Sequence, residues 1–465
     1  MKDIEAANAK KIIPGAVHSY IERPRYFCSF GGALCTLEAL PETIAVLHAA
    51  GGCAGSIAWG QNGGSALQVG GFCGGLAVPS SNVGEKEVIF GGAERLAEQI
   101  RTTVEMMEAK LFVVITSCVT EMIGDDVQAV VNDVKGDVEG VSLVFARTGG
   151  FKGNSYYGYD IVLSALARQF VKKGEPRQGT VNVFGIVPYM DSFWRGNLEG
   201  VKKLLESAGL KVNTFFGEDN TLENLYGSGS AELNIVVSDI YGMETAQTYE
   251  EIFDIPYISV SLPVGPSSSA ELLRAVEKKI GLPVNVEDLI GAEQKRYWRC
   301  LDLLVDCYYD LDLQRYAIVI ADVNYAVSVT RFLKDDLGWI PVLVQFTELL
   351  NDQQRELLAE KILAPGADYA APEPLVVFDT NPSEAGKYLI ERYPRRETDL
   401  YVDSLTPAFV IGSSLERDLA AKLGAAHLSL SFPVANRAVI NRGYTGFSGG
   451  LTLAEDLISA AIAGR

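Results

Sequence analysis

Short runs of apolar, often β-branched residues recur along the chain, and longer stretches with the apolar spacing of amphipathic helices separate them. The run at 111–116, Leu-Phe-Val-Val-Ile-Thr, predicts a strand that is covered on both faces. Runs of the same kind lie at 181–187, 233–237, 316–321, 374–378 and 408–411, and helical patterns lie at 93–108, 196–208, 269–280, 325–337 and 415–423. A strand followed by a helix, repeated in this way, predicts an α/β fold with doubly wound parallel sheets.

These strand–helix units fall into three groups. We place the predicted domain limits at 1–175, 176–305 and 306–465, with a cysteine- and glycine-rich start to the first domain and a C-terminal extension in the third. The stretch 287–312 predicts a long helix that joins the second and third domains. Because no linker rich in proline, glycine and serine separates the groups, we expect three Rossmann-like domains that pack closely together.

Composition narrows the class of protein. The 465 residues are 48% hydrophobic and 21% charged, which is ordinary for a soluble globular chain. The apolar runs are far shorter than the roughly 20 residues that a membrane span needs. Lys and Arg total 40 against 59 for Asp and Glu, and the net charge of −19 argues against a nucleic-acid partner. The start of the chain carries acids and no apolar signal region, so we expect a cytoplasmic protein without membrane partners.

Seven cysteines are the residues with the most chemical interest. They are Cys28, Cys35, Cys53, Cys73, Cys118, Cys300 and Cys307. In a reducing compartment such thiols bind metal or pack in the core more often than they form disulfides. Five of the seven lie in the first 118 residues, so any thiolate chemistry is concentrated there.

Several common functional motifs are absent from the sequence. It contains no Walker A motif, no well-placed Gly-x-Gly-x-x-Gly, no Gly-x-Ser-x-Gly and no Cys-x-x-Cys pair. Only three histidines are present, which disfavours a histidine-rich metal site. A phosphate-binding enzyme, a serine hydrolase and a zinc ribbon are therefore not indicated.

Three of the cysteines occupy positions suited to an iron–sulfur cluster. Cys118 follows the predicted strand 111–116, and the ends of parallel strands are where α/β folds place ligands. Cys28 and Cys53 have small neighbours, and Cys53 lies near the start of a stretch at 51–75 that is rich in glycine. That stretch is either a flexible surface loop or backbone that must approach a bulky group. Spacing alone leaves packing roles for these cysteines open.

The residues around these cysteines resemble the β chain of the nitrogenase component 1 family. The similarity lies in Cys28 with Gly32-Ala33 and Cys35, in 48–53, in 117–126 (Ser-Cys-Val-Thr-Glu-Met-Ile-Gly-Asp-Asp), in 148–151 with 158–160, and in 432–433 and 443–451. The segment 117–126 is the most specific of these. The resemblance covers nearly the whole chain and implies the nitrogenase component 1 fold.

The resemblance also implies a cofactor, partners and a role. Cys28, Cys53 and Cys118 would ligate a P-cluster-type iron–sulfur cluster, [8Fe-7S] or related, which is shared with a homologous α subunit in an α2β2 heterotetramer. An ATP-dependent iron protein would supply electrons, which the cluster would pass to a cofactor in the α subunit. We expect Cys35 and Cys73 to be packing residues near the site. Cys300 and Cys307, seven residues apart on a predicted helix, are expected in the core.

The sequence departs from the family pattern at several points. Ala49 follows His48 where the family has His-Gly, and Gly150 stands where the molybdenum enzyme's β chain has a serine that can ligate the oxidised cluster. Segment 236–243 has no cysteine and segment 429–450 has no histidine, so we expect a β-type chain that does not ligate the active-site cofactor. Acidic residues after Cys118, namely Glu121, Asp125 and Asp126, are expected to favour a helix N-terminus.

Function remains open at the level of substrate. Segment 59–75 is poor in Arg and aromatic residues compared with nitrogenases proper, and among relatives we favour methylthio-alkane reductase, which cleaves C–S bonds. The alternatives are a nitrogenase proper, a tetrapyrrole-reducing relative, a scaffold for cofactor assembly, and a non-redox α/β binding protein whose cysteines only pack. Cluster nuclearity, the metal of the α-subunit cofactor and a homo-oligomeric assembly are also left open.

Overall fold

The structure is a computed structural model of the chain. It describes residues 11–463 apart from 16–17, 19, 23, 69–77, 218–219, 311–312, 365–371 and 394–404, and within its helices all side chains except those of residues 58–62 and 307. Among the described residues, no helix is long and apolar enough to cross a membrane.

The strands form three sheets in which every neighbouring pair is parallel. In chain order they are β1 (Ile12–Ile13), β2 (Thr43–His48), β3 (Leu111–Thr116), β4 (Ser142–Ala146), β5 (Arg177–Phe184), β6 (Lys211–Asn213), β7 (Ala231–Val236), β8 (Tyr257–Ser259), β9 (Tyr316–Ala321), β10 (Ile340–Phe346), β11 (Leu375–Phe378), β12 (Ala408–Gly412) and β13 (Ala426–Ser429). The sheet orders are β2-β3-β4, then β6-β5-β7-β8, and last β1-β11-β10-β9-β12-β13.

Helices connect the parallel strands, as parallel pairing requires. They are α1 (Ser29–Glu38), α2 (Gly51–Gly64), α3 (Glu85–Phe90), α4 (Ala93–Met106), α5 (Cys118–Met122), α6 (Val127–Lys135), α7 (Ser155–Gln169), α8 (Trp194–Ser207), α9 (Leu222–Tyr226), α10 (Met243–Phe253), α11 (Gly265–Ile280), α12 (Val286–Leu301), α13 (Val305–Asp310), α14 (Val323–Arg331), α15 (Asp352–Leu363), α16 (Ala385–Arg392), α17 (Arg417–Leu423) and α18 (Gly446–Ala463). A π-helical segment, Phe332–Leu337, continues α14.

The predicted α/β class with parallel sheets is confirmed. The apolar runs at 111–116 and 316–321 form strands with those limits, because each run is buried on both faces. The prediction missed β10, whose apolar run is interrupted by Pro341 and Gln345. Gln345 is nevertheless buried in the strand, because its side-chain amide donates to the carbonyl oxygens of Asp379 and Asn381 at 2.8 and 3.0 Å.

The predicted helix at 287–312 is present as α12 and α13, with a 3-10 turn, Asp302–Leu304, between them. The sheets follow one another along the chain, except that β1 pairs with β11 of the third sheet. The domain limits at 175 and 305 stay a prediction.

A continuous hydrophobic core runs through all three sheets. Where the sheets meet, it is filled by large side chains: Tyr156 stacks on Tyr241 with ring centroids 4.1 Å apart, and Tyr241 donates a hydrogen bond to the buried Glu348. Arg25 is also buried here, donating to the carbonyl of Ile320 at 3.2 Å and pairing with Glu416. This contact fixes the segment before Cys28 against the third sheet.

Candidate metal centre

The first sheet places two of the candidate cysteines at one edge. His48 at the end of β2 lies beside Thr116 at the end of β3, and Ile115 lies beside Ala146 at the end of β4. The segments that leave these strands therefore start from the same edge. Cys53 lies in the first turn of α2 and Cys118 is the first residue of α5, so each follows its strand within a few residues.

Cys28 reaches this edge through the turn that follows β4. It precedes α1 in extended backbone and forms an antiparallel bridge with Asn154. The Ser29 N–H donates to the carbonyl of Gly153 at 2.9 Å, and the Ser29 hydroxyl donates to the carbonyl of Gly149 at 2.9 Å. These bonds tie the start of α1 to residues 149–154.

Gly150 lies against two of the three thiols. A Cβ built on Gly150 would come within 2.9 Å of Cys28 Sγ and 3.1 Å of Cys118 Sγ. The Gly150 N–H itself donates to Cys118 Sγ at 3.1 Å. The two sulfurs therefore flank one glycine, and one of them already accepts a backbone hydrogen bond of the kind that tunes iron–sulfur clusters.

The charges of Cys28 and Cys118 also affect the third candidate ligand, Cys53. Its pKa is raised, first by partial burial and then by the charges of Cys28 and Cys118. All three cysteines are unpaired and exposed in the single chain. Neighbouring thiolates repel one another, so positive charge between them would stabilise the ionised forms. Within the described part of the chain, no three His, Cys, Asp or Glu side chains are arranged around a single metal ion.

Glu121 joins the loops that carry Cys118 and Gly150. Its carboxylate accepts hydrogen bonds from the Thr116 hydroxyl at 2.6 Å and the Gly149 N–H at 2.7 Å, and it pairs with Lys152 at 3.0 Å. Burial alone would raise the pKa of Glu121, but these hydrogen bonds and Lys152 outweigh it and lower the pKa. Glu121 does lie in the first turn of α5, as expected, and its carboxylate also holds the turn after β4.

The other two acidic residues after Cys118 lie beyond α5. Asp126 is the N-cap of α6, where its side chain accepts from the Ala129 N–H at 3.1 Å, so the expected helix N-terminal role is confirmed for this residue at the next helix. Asp125 faces the other way and accepts from the Gly92 N–H at 2.9 Å. It therefore connects the end of the cysteine-bearing turn to the start of α4.

A hydrogen bond between His48 and Asp125 stabilises the segments that leave this edge of the sheet. His48 is buried, with Nδ1 at 3.0 Å from Ser81 Oγ and Nε2 at 2.9 Å from Asp125 Oδ2. Burial lowers the pKa of His48, although Asp125 acts in the opposite direction. The His48 carbonyl accepts from the Ser117 N–H and the Thr120 hydroxyl, both at 3.0 Å. This network links the start of α2 to the start of α5.

The sequence of the whole region matches one family profile. The profile described as "Nitrogenase component 1 type Oxidoreductase" matches residues 28–462. The chain belongs to this family. The family assignment confirms the predicted resemblance and the prediction of an oxidoreductase-type subunit.

Proteins similar in sequence to this nitrogenase component 1 family member include nitrogenase chains, a cofactor biosynthesis protein and a reductase subunit. The vanadium-iron protein beta chain of Trichormus variabilis is 26% identical over 55% of this chain and 58% of its own length. The cofactor biosynthesis protein NifE of Clostridium pasteurianum is 25% identical over 86% of this chain and 80% of its own length. One chain of the light-independent protochlorophyllide reductase of Heliobacterium modesticaldum is 25% identical over 55% of this chain and 48% of its own length. The present chain thus spans about half the length of several curated relatives that it matches.

Solved structures confirm the predicted fold. The structure entitled "Nitrogenase Cp1 at pH 6.5" superposes with a TM-score of 0.77 and 17% identity, covering 100% of this chain and 97% of that one. A second, "Nitrogenase Cp1 at pH 5", gives a TM-score of 0.70 at 19% identity, covering 97% and 90%. The nitrogenase component 1 fold therefore extends across the part of the chain that the structure describes.

The remaining cysteines of this family member differ in their surroundings. Cys35 is buried in α1, as expected for a packing residue, and burial raises its pKa. The prediction that Cys300 lies in the core is wrong: Cys300 is exposed, whereas α12 buries Val286, Ile290 and Tyr297. Cys73 and the side chain of Cys307 lie outside the described part of the chain.

Two positioning residues were not found from the sequence. Asn154 accepts from the Tyr156 N–H at 3.1 Å as the cap of α7, and its amide donates to Glu348 at 3.2 Å. An asparagine directly before the helix that begins at Ser155 is a typical N-cap, so the sequence does carry a signal for this role. Arg25, three residues before Cys28, offered no such signal, since its partner Glu416 is nearly 400 residues away.

Proposed function

We propose that this chain is the β-type subunit of a nitrogenase-like reductase and holds part of a P-cluster-type iron–sulfur cluster through Cys28, Cys53 and Cys118. The observation that carries the proposal is the placement of the Cys28 and Cys118 sulfurs against Gly150, while the charges of both cysteines act on Cys53. Thiolates from several loops are the ligands that iron–sulfur clusters require.

The residues present fit such a group. The three cysteines are exposed, which leaves room for a second chain to supply further ligands. When bound, the cluster would accept and release single electrons. The Gly150 N–H would stabilise negative charge on the Cys118 sulfur, and Glu121 would hold the turn that carries this N–H. The His48–Asp125 pair would keep the starts of α2 and α5 in place.

The partners of this proposal are a homologous α subunit, in an α2β2 assembly, and an ATP-dependent iron protein that supplies electrons. The β-chain names of several relatives support a β-type role. The active-site cofactor would lie in the α subunit, because segments 236–243 and 429–450 offer it neither cysteine nor histidine. Reduced thiols at an exposed site suit a cytoplasmic protein.

For the substrate, we propose the C–S bond of a methylthio-alkane; the low content of Arg and aromatic residues in segment 59–75 sets the chain apart from nitrogenases proper. Dinitrogen and tetrapyrroles are the competing substrates. A cofactor-assembly scaffold is the second candidate function, and the match to NifE over 86% of this chain favours it. A scaffold would hold iron without turning over any of these substrates.

The test is iron and sulfide analysis of the chain purified without oxygen together with its partner subunit. We expect a brown complex whose iron falls sharply in Cys118→Ala. Cys300→Ala is the matched control, because Cys300 is also exposed but lies on α12, outside the proposed site. Iron that is absent, or equal in both variants, would overturn the cluster assignment.

A substrate panel then separates the functions. The intact complex with its iron protein and ATP would be given methylthio-alkanes, dinitrogen and tetrapyrroles in turn. Release of a hydrocarbon and a thiol from the first supports the proposed reductase, and ammonia or a reduced ring identifies a competing one. Iron without turnover of any of them supports the scaffold.

A further inference from the structure

A cavity of about 650 Å³ lies beside helix α8, and none of the residues that line it is a candidate cluster ligand. This volume falls within the roughly 300–1,000 Å³ of small-molecule sites. Part of the wall is apolar and buried, since Trp194, Leu198 and Phe216 line the cavity and are 1%, 5% and 3% exposed. An apolar wall with a few polar groups beside it is the usual composition of such a site.

The charged residues of the lining leave a local excess of positive charge. Arg195 and Lys202 are seven residues apart on α8, so both lie on the helix face that lines the cavity. Neither forms an ion pair with another described residue. Glu199 is already paired with Lys203 at 2.5 Å, which leaves Glu206 as the one unpaired acid of the lining. The cavity is therefore locally cationic on a chain whose net charge is −19.

The Arg195 guanidinium is held in place by uncharged groups. Its central carbon lies 4.3 Å from the centroid of the Trp194 ring, and Nη1 donates to Gln68 Oε1 at 2.7 Å. The Gln68 amide nitrogen in turn donates to the carbonyl of Ser192. A guanidinium has five N–H donors, so these contacts leave donors for a ligand. Arg195 is thus positioned before any ligand binds, and its charge is not neutralised.

Strained backbone is concentrated around the same cavity. Ala66, Leu67, Tyr189 and Phe215 have φ angles of 55°, 64°, 62° and 66°, in the left-handed region that residues with a Cβ rarely adopt. They are four of the seven non-glycine residues with positive φ in the described part of the chain. Leu67 lines the cavity, Phe215 lies between two lining residues, and the Tyr189 ring lies 5.8 Å from the Arg195 guanidinium. Strain of this kind tends to cluster at ligand sites.

We propose that this cavity binds a small organic dicarboxylate with an apolar body. One carboxylate pairs with Arg195 and the other with Lys202, and the body packs on Leu198, which lies between them on α8. Seven residues of helix span about 10 Å, which sets the approximate distance between the two carboxylates. The apolar wall disfavours a sugar phosphate, because its hydroxyl groups would lose water there without gaining partners. The proposal does not rest on the iron–sulfur cluster.

The test is equilibrium dialysis of the full-length chain against biphenyl dicarboxylate, a rigid rod with one carboxylate at each end. We expect one molecule to bind per chain. Arg195→Gln should raise the Kd about tenfold, and Lys202→Gln should raise it about threefold, because Lys202 is more exposed to solvent than a buried partner would be. Biphenyl carboxylate should bind several-fold more weakly than the diacid, and the uncharged biphenyl carboxamide more weakly still.

Arg101→Gln is the matched control, because Arg101 is an exposed arginine on α4 and does not line the cavity. It should leave the Kd unchanged. Lys202→Gln removes a partly exposed side chain without an ion pair, so it keeps the test valid even if Arg195→Gln disturbs folding. A chain that does not bind the diacid overturns the proposal, as does a carboxamide that binds as tightly, or a Kd that both cavity variants leave unchanged. Iron content does not enter these outcomes, so the proposed cluster and this cavity are tested separately.

Discussion

The ion pair between Arg25 and Glu416 connects the segment before Cys28 to the third sheet, and Arg25→Met should remove that connection. The two side chains are 1% and 4% exposed. Met keeps much of the apolar volume of the arginine side chain but lacks its charge and donors. The variant therefore leaves Glu416 buried without its cationic partner.

The size of the effect follows from what Glu416 retains. Its Oε2 still accepts from the Ser413 N–H at 2.6 Å and the Ser413 hydroxyl at 2.8 Å, whereas Oε1 loses Arg25. Breaking a buried pair by removing one partner costs about 3–5 kcal/mol. Because half of the carboxylate stays hydrogen-bonded, we expect a loss near the lower limit, about 3 kcal/mol in the free energy of unfolding.

Urea denaturation followed by tryptophan fluorescence measures this loss. Glu416→Gln and the double variant Arg25→Met/Glu416→Gln complete a double-mutant cycle with the wild type. The double variant should be more stable than Arg25→Met alone, because it no longer buries an unpaired carboxylate. Amide hydrogen exchange at residues 25–28 should rise in Arg25→Met if the pair holds this segment.

Two results would refute the reasoning about stability. A loss below about 1 kcal/mol would mean that Glu416 is solvated or neutral in the folded chain. A double variant less stable than Arg25→Met would mean that the carboxylate is not left uncompensated. Unchanged amide hydrogen exchange at 25–28 would show that other contacts position Cys28.

Two further predictions concern packing and pH. Gly32→Ala should lower the free energy of unfolding by about 3 kcal/mol or more and reduce bound iron, because a Cβ at Gly32 would overlap the carbonyl of Ser155 where α1 crosses α7. Gly136→Ala is the control, because a Cβ at Gly136 meets only ordinary van der Waals contact. Equal stability of the two variants in urea denaturation would contradict the argument. Burial raises the pKa of Glu348 to about 7. Above about pH 4.3 the unfolded chain therefore releases the proton of this carboxyl group, whereas the folded chain keeps it. The free energy of unfolding should fall as pH rises from about 4.3 to 7. Glu348→Gln should flatten this part of the stability profile in denaturation series at several pH values, and an unchanged slope would show that Glu348 is ionised in the folded chain.

The glycine-rich stretch after His48 contains a helix that the sequence pattern did not predict. Gly51–Gly64 forms the helix α2 and not a flexible loop, and the approach of this backbone to a bulky group stays a prediction. Helix propensity disfavours glycine, so the helix depends on packing. A Cβ at Gly51 would lie 2.5 Å from Asn82 Oδ1, and one at Gly64 would lie 2.5 Å from the Phe432 ring. Both neighbours are distant in sequence, so local patterns could not predict the helix.

The sequence alone determined the class of the fold and the candidate cysteines. Apolar runs such as Leu111–Thr116 are long enough to specify buried strands, and the position of Cys118 after that run predicts a place at the sheet edge. Both are local properties, since side-chain periodicity depends only on residues close in the chain. The ligand roles of Cys28, Cys53 and Cys118 stay a prediction.

Only the tertiary structure decided how the candidate site is assembled. Cys28 lies at the edge of the first sheet because the start of α1 is hydrogen-bonded to residues 149–154. Arg25 pairs with Glu416, which is nearly 400 residues away in the sequence. The turn that bears Gly150 is held by Glu121, whose role as a support for that turn appears only when β3 and β4 lie side by side. The physical reason is the same in each case: these contacts join residues that are remote in sequence, and their geometry follows from the packing of whole elements rather than from local residue preferences.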